Sequence, residues 1–112
     1  MKIDTAIERL VALAQRSRLS VFRLLVEKGP DGMPAGEIAE RLKIAPNALS
    51  FHLKGLSNAG LLKSWQQGRF VYYAPDFKAM NGLVDYLTEN CCAGSAPAGT
   101  ACATTPANCK EN

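Results

Sequence analysis

At 112 residues the chain has room for one small domain with a modest core, not for two. Its net charge of +3 permits a nucleic-acid partner without requiring one. A single histidine, no glycine-rich phosphate loop and no nucleophile paired with a base leave little with which to catalyse, so no enzyme is expected.

In chain order, Ile7, Leu10, Val11 and Ala14 recur at helical spacing and predict a first helix over residues 4–15. A second follows in SRLSVFRLLVEKG, where Leu19, Phe22 and Val26 share a face with Leu25 beside it. Gly29 and Pro30 stop that helix, and GPDGMPAG reads as a loop by composition. A short helix over residues 35–42 buries Ile38 and Leu42, a break KIAP follows, and Pro46 opens the next helix at the position that tolerates proline best. In that helix Leu49, Leu53 and Leu56 form the stripe to be buried. The period then changes: LLKSWQQGRFVYYAP alternates and is rich in strand formers on both sides of QQGR, which predicts a β-hairpin. A last helix, DFKAMNGLVDYLTEN, repeats apolar spacing at Met80, Leu83, Val84 and Leu87. Beyond it, Ala, Gly, Ser, Thr and Pro dominate, and a flexible tail is expected.

The expected fold is therefore mainly α with a small β-hairpin: a winged helix-turn-helix over residues 1–90, followed by a tail over 91–112. Such an architecture places one helix in the DNA major groove. On the helix opened by Pro46, the side opposite the leucines carries Asn47, Ala48, Ser50, Phe51, His52 and Lys54. Asparagine bonds adenine bidentately, serine reaches bases or phosphate, and lysine supplies charge to phosphate. Asn47, Ser50 and Phe51 are the expected base-facing residues. Lys43, Lys54, Gln66, Gln67 and Arg69 are candidates for the DNA backbone. His52 has no second histidine or nearby cysteine, so packing or a DNA contact is favoured over metal ligation.

The run APNALSFHLKGLSNAGLLKSWQQGRFVYYAP resembles the signature of the ArsR/SmtB repressors. The matching residues are Ser50, His52 and Leu53, then Leu56, Ala59, Gly60 and Leu61, then Gly68, Arg69 and Tyr73. The resemblance spans residues 6–87 and implies a homodimer, joined through the first and last helices, that leaves its double-stranded operator when a metal or metalloid binds. Members of that family often carry hydroxyl residues where this chain has Ala45 and Ala48, which shifts the expected base contacts onto Asn47 and Ser50. Two of the family's sensing sites are missing: GEIAERL has no cysteine pair and MNGLVDYLTEN has no histidine. A third arrangement known in the family uses cysteines at the end of the last helix and in the tail.

All four cysteines, Cys91, Cys92, Cys102 and Cys109, lie in that last region. The start MKIDTAIERL has no apolar signal-peptide core, and no apolar run approaches the ~20 residues of a membrane span. A cytoplasmic protein with no membrane partner is expected, and in that compartment clustered thiols point to metal binding or redox sensing. Sulfur ligands favour soft ions: As(III) or Sb(III) as inducer, with Cd, Cu(I) or Zn as alternatives. Adjacent Cα atoms ~3.8 Å apart fall below the ~4.4–6.8 Å of an ordinary disulfide. A Cys91–Cys92 bond would therefore be strained, whereas a bond from either to Cys102 keeps a redox or persulfide switch open. For a third ligand beside Cys91 and Cys92, the shorter loop favours Cys102 over Cys109 by only ~0.5 kcal/mol, and the resemblance favours Cys102 as well.

Overall fold

The computed structural model describes residues 1–95. Its elements are helices α1 (Ile3–Leu13), α2 (Arg16–Lys28), α3 (Ala35–Leu42), α4 (Pro46–Asn58) and α5 (Phe77–Thr88), and strands β1 (Met33–Pro34), β2 (Leu62–Gln67) and β3 (Phe70–Pro75). A single 3₁₀ turn follows at Ala93–Ser95. The expected winged helix-turn-helix is present.

Local chemistry sets the boundaries. The Gln15 side chain accepts from the Arg18 amide at 2.8 Å and starts α2. The Asp76 carboxylate accepts from the Ala79 amide at 3.1 Å and starts α5, supplying one of the partners that a helix N-terminus lacks. Between α3 and α4, Lys43 adopts a left-handed conformation (φ 55°). The amides of Lys43 and Ile44 both return to the Ala39 carbonyl there, which closes α3 and aims the chain into α4. Ala45 is extended, as the residue before a proline is biased to be, and Pro46 sits in the first turn of α4.

The main buried cluster among the described residues joins Val21, Phe22 and Leu25 of α2 to Ile38 of α3 and to Leu49, Leu53 and Leu56 of α4. Met33, Leu61 and Leu62 close it from the sheet side. The expected α4 stripe is thus the one buried. At the end of α4, Arg9 Nε donates to the Ala59 carbonyl at 3.2 Å and ties α1 to that helix.

The sheet departs from the sequence expectation. GPDGMPAG is not all loop: β1 pairs antiparallel with β3, Met33 opposite Tyr73 and Pro34 opposite Tyr72, so the sheet has three strands in the order β1-β3-β2. Two residues are too few to show alternation, and Pro34 argues against a strand because it offers no amide to the ladder. Gly32 makes the approach possible. At φ 75°, a Cβ there would meet the Tyr73 carbonyl oxygen at 2.9 Å and the Trp65 ring at 2.7 Å.

The stripe expected on the first helix is real, but it does not face the core. Within the chain α1 buries Ala6 and Ala12, while Ile3, Ile7, Leu10 and Val11 are exposed, Val11 to 64%. On the neighbouring α5, Leu83 is buried but Val84 and Leu87 are exposed. Among the described residues, nothing covers the apolar surface that these two helices carry.

Candidate nucleic-acid interface and thiol pair

Helix α4 buries Leu49, Leu53 and Leu56, and this rotation fixes what the opposite side shows. Asn47, Ala48, Ser50, Phe51 and Lys54 are exposed, and His52 is half-buried. Lys43 is exposed at the turn before α4. The hairpin carries Gln66, Gln67 and Arg69 exposed at its tip, with Phe70 and Val71 beside them. Gln67 pairs with Phe70, so Gly68 and Arg69 form a two-residue turn. Gly68 has φ 66°, the conformation that a II′ hairpin turn demands at its first position. Behind the tip, Trp65 and Tyr72 pair across the strands with stacked rings 6.1 Å apart, which stiffens the wing.

His52 is occupied by a protein partner. Arg18 of α2 donates through Nε to His52 Nδ1 at 3.3 Å, and its guanidinium carbon lies 5.3 Å from the centre of the Phe51 ring. Arg18 fills the space above Gly55, where a Cβ would meet the guanidinium carbon at 2.7 Å. Arg18 is 34 residues from His52 and part of no motif, so its role is not legible in the sequence. Its one trace is Gly55: glycine in a helix interior is unfavourable by ~1 kcal/mol relative to alanine, so it signals a close neighbour.

At the far end of α5, Asn90 and Cys92 take positive φ (61° and 66°), and the Cys91 amide returns to the Thr88 carbonyl at 3.0 Å. In an extended chain, successive side chains point to opposite sides. This turn brings Cys91 Sγ and Cys92 Sγ to 3.5 Å instead, as free thiols. The shared hydrogen bond with Cys92, with smaller contributions from desolvation and from the Cys92 charge, raises the Cys91 thiol above the ordinary range. Because the thiolate is the nucleophile, Cys91 is expected to alkylate with iodoacetamide at pH 7.5 more slowly than an ordinary exposed thiol. Cys92→Ala removes the bond and should accelerate the reaction, as followed by mass spectrometry. Among the described residues no three His, Cys, Asp or Glu side chains gather around one point. Cys102 and Cys109, the candidates for a third ligand, lie outside the described residues.

Comparison with known proteins places this geometry. Residues 13–64 match the family described as "Helix-turn-helix domain". The chain is 32% identical to the uncharacterized HTH-type transcriptional regulator YbzH of Bacillus subtilis (strain 168), over 72% of this chain and 93% of that protein. It is 29% identical to the arsenical resistance operon repressor of the same organism, over 76% of this chain and 77% of that one. Among solved structures it is similar to an ArsR-like transcriptional regulator from Rhodococcus sp. RHA1, with 26% identity and a TM-score of 0.65 over 75% of this chain and 76% of that chain. No helix among the described residues is long and apolar enough to cross a membrane. With a helix-turn-helix, a stiffened wing and these relatives, the chain belongs to the ArsR-like family of helix-turn-helix transcriptional regulators.

Proposed function

We propose that this DNA-binding regulator is a homodimeric repressor that leaves its operator when trivalent arsenic or antimony binds thiolates at the end of α5. The observation that carries this reading is the pair of free thiols 3.5 Å apart at Cys91 and Cys92. Two sulfurs bonded to one ion at ~2.3 Å, the zinc–thiolate length, stand roughly 3.3–3.8 Å apart for bond angles of about 90–110°. The pair therefore already spans the bite of a single soft ion, and a third thiolate from Cys102 or Cys109 would complete a pyramidal set. The similarity to an arsenical resistance operon repressor supports the same ligand class.

The exposed apolar surface of α1 and α5 supports dimerisation there. Two copies joined across it present two α4 helices, and operators with two half-sites suit such pairs. Asn47, Ser50 and Phe51 face bases, while Lys43, Lys54, Gln66, Gln67 and Arg69 serve the phosphate backbone. His52 supports the reading surface through Arg18. Because α5 carries both the dimer face and the thiol pair, ligation at its end can reorient the two domains. A ~100-fold loss of operator affinity needs roughly 2.7 kcal/mol of coupling, within the usual allosteric range.

Cys91→Ser and Cys92→Ser are expected to bind the protein's own upstream DNA as wild type does, yet to stay bound in arsenite in a gel-shift assay. Cys102→Ser and Cys109→Ser then identify the third ligand: the variant that loses the response held it. Release by peroxide but not by arsenite would make the thiols a redox switch. Each bond from a thiol to arsenic or antimony supplied as the trihydroxide forms as the thiol proton and one hydroxyl leave together as water. No net proton is released, so inducer affinity at this pair should change little with pH while Cys91, raised by its bond to Cys92, stays protonated.

A further inference from the structure

Phe51 is a large apolar side chain, 66% exposed, on the otherwise polar or small-residue outer side of α4. Its position is held from several directions. The Arg18 guanidinium lies 5.3 Å from the ring centre, and the His52 ring meets Phe51 edge-to-face at 5.8 Å. His52 is in turn fixed by Arg18 at 3.3 Å, and Gly55 leaves the guanidinium its seat. The ring is thus pre-positioned while most of its surface still faces solvent.

The major-groove edges of base pairs are arrays of donors and acceptors with one prominent apolar group, the thymine C5-methyl. A phenyl ring neither donates nor accepts. Set against the edge of guanine, cytosine or adenine, it would remove water from polar atoms without replacing their hydrogen bonds. Set against a thymine methyl, it removes two apolar surfaces from water. Ala48 and Asn47 lie three and four positions before Phe51 and therefore beside it on the helix surface. Both are exposed. Ala48 offers a second small apolar contact, and the Asn47 amide matches adenine.

We infer that Phe51, seated by Arg18, reads thymine methyl groups, and that the half-site beneath α4 is an A·T-rich element with Phe51 on thymine and Asn47 on adenine. The inference rests on α4 being the DNA-reading helix, and it assigns Arg18 as a positioning residue for Phe51.

The test uses the full chain. Selection from random-sequence duplexes yields a bound site, and each thymidine in it is then replaced by deoxyuridine, which lacks only the methyl. Wild type is expected to bind about fourfold more weakly at one or more positions per half-site, the ~0.8 kcal/mol of one buried carbon. Phe51→Ala is expected to bind the thymine and uracil forms alike. Arg18→Met is expected to lose most of the same ratio while the slope of log affinity against log salt stays unchanged. An enriched site whose wild-type affinity is indifferent to uracil throughout overturns the role of Phe51. Arg18→Met that keeps the ratio, with the salt slope reduced by about one, makes Arg18 a phosphate contact and overturns its positioning role. Failure to enrich or bind any duplex overturns the reading of α4 itself.

Discussion

Val11→Glu is expected to leave the fold intact, convert the dimer to monomers and lower affinity for a two-half-site operator by roughly 100-fold or more. Val11 is 64% exposed within its own chain, so the charge meets water in the monomer and stability should change by no more than about 0.5 kcal/mol. In a two-fold dimer formed through α1 and α5, the substituted site occurs twice on the same interface. Each carboxylate would then be buried among Ile7, Leu10 and the partner's apolar surface, without a compensating charge. The loss of DNA affinity follows from linkage: two half-sites bound by tethered domains gain ~10²–10⁴ over one domain alone. Sedimentation and fluorescence anisotropy on the same samples measure both effects. A Val11→Glu chain that remains dimeric would move the interface away from α1.

Leu56→Ala should act in the opposite way, on the fold first. Leu56 is fully buried on the inner side of α4, and its carbonyl accepts from the Leu61 amide at 3.1 Å, where the chain turns toward the wing. Truncation leaves a cavity that the surrounding leucines fill only partly, and such changes destabilise by ~2–5 kcal/mol. For a domain whose total stability is on the order of 5–15 kcal/mol, the melting temperature falls by on the order of 10–30 °C. Urea denaturation should show a lowered midpoint at an unchanged slope. Leu87→Ala, by contrast, removes a side chain 58% exposed within the chain, and its effect should appear in the dimerisation constant.

These two substitutions mark what the sequence discloses and what it does not. The leucine spacing of α4 identifies the buried face because the cover, α2 and α3, belongs to the same chain. The equally regular spacing of α1 marks a face that needs burial but does not say whether the cover is internal. The three-dimensional arrangement leaves Ile7, Leu10 and Val11 outside the core. The hairpin is legible through its change of period and through Gly68. β1 is not, because two residues, one of them proline, carry no periodic signal. The outward residues of α4 follow from the helical period alone, whereas the Arg18 seat under Phe51 and His52 arises from tertiary packing. The cysteines are plain in the sequence, but the approach of Cys91 and Cys92 depends on left-handed backbone at Asn90, a residue type that tolerates it, and at Cys92, whose type does not announce it.

Control of DNA binding by a soft ion at these thiols is tested most directly by fluorescence anisotropy of a labelled operator duplex titrated with the full chain under reducing conditions, with and without arsenite. Operator affinity is expected to be about 100-fold weaker in arsenite, a change of roughly 2.7 kcal/mol. Equal affinities in the two titrations would contradict it.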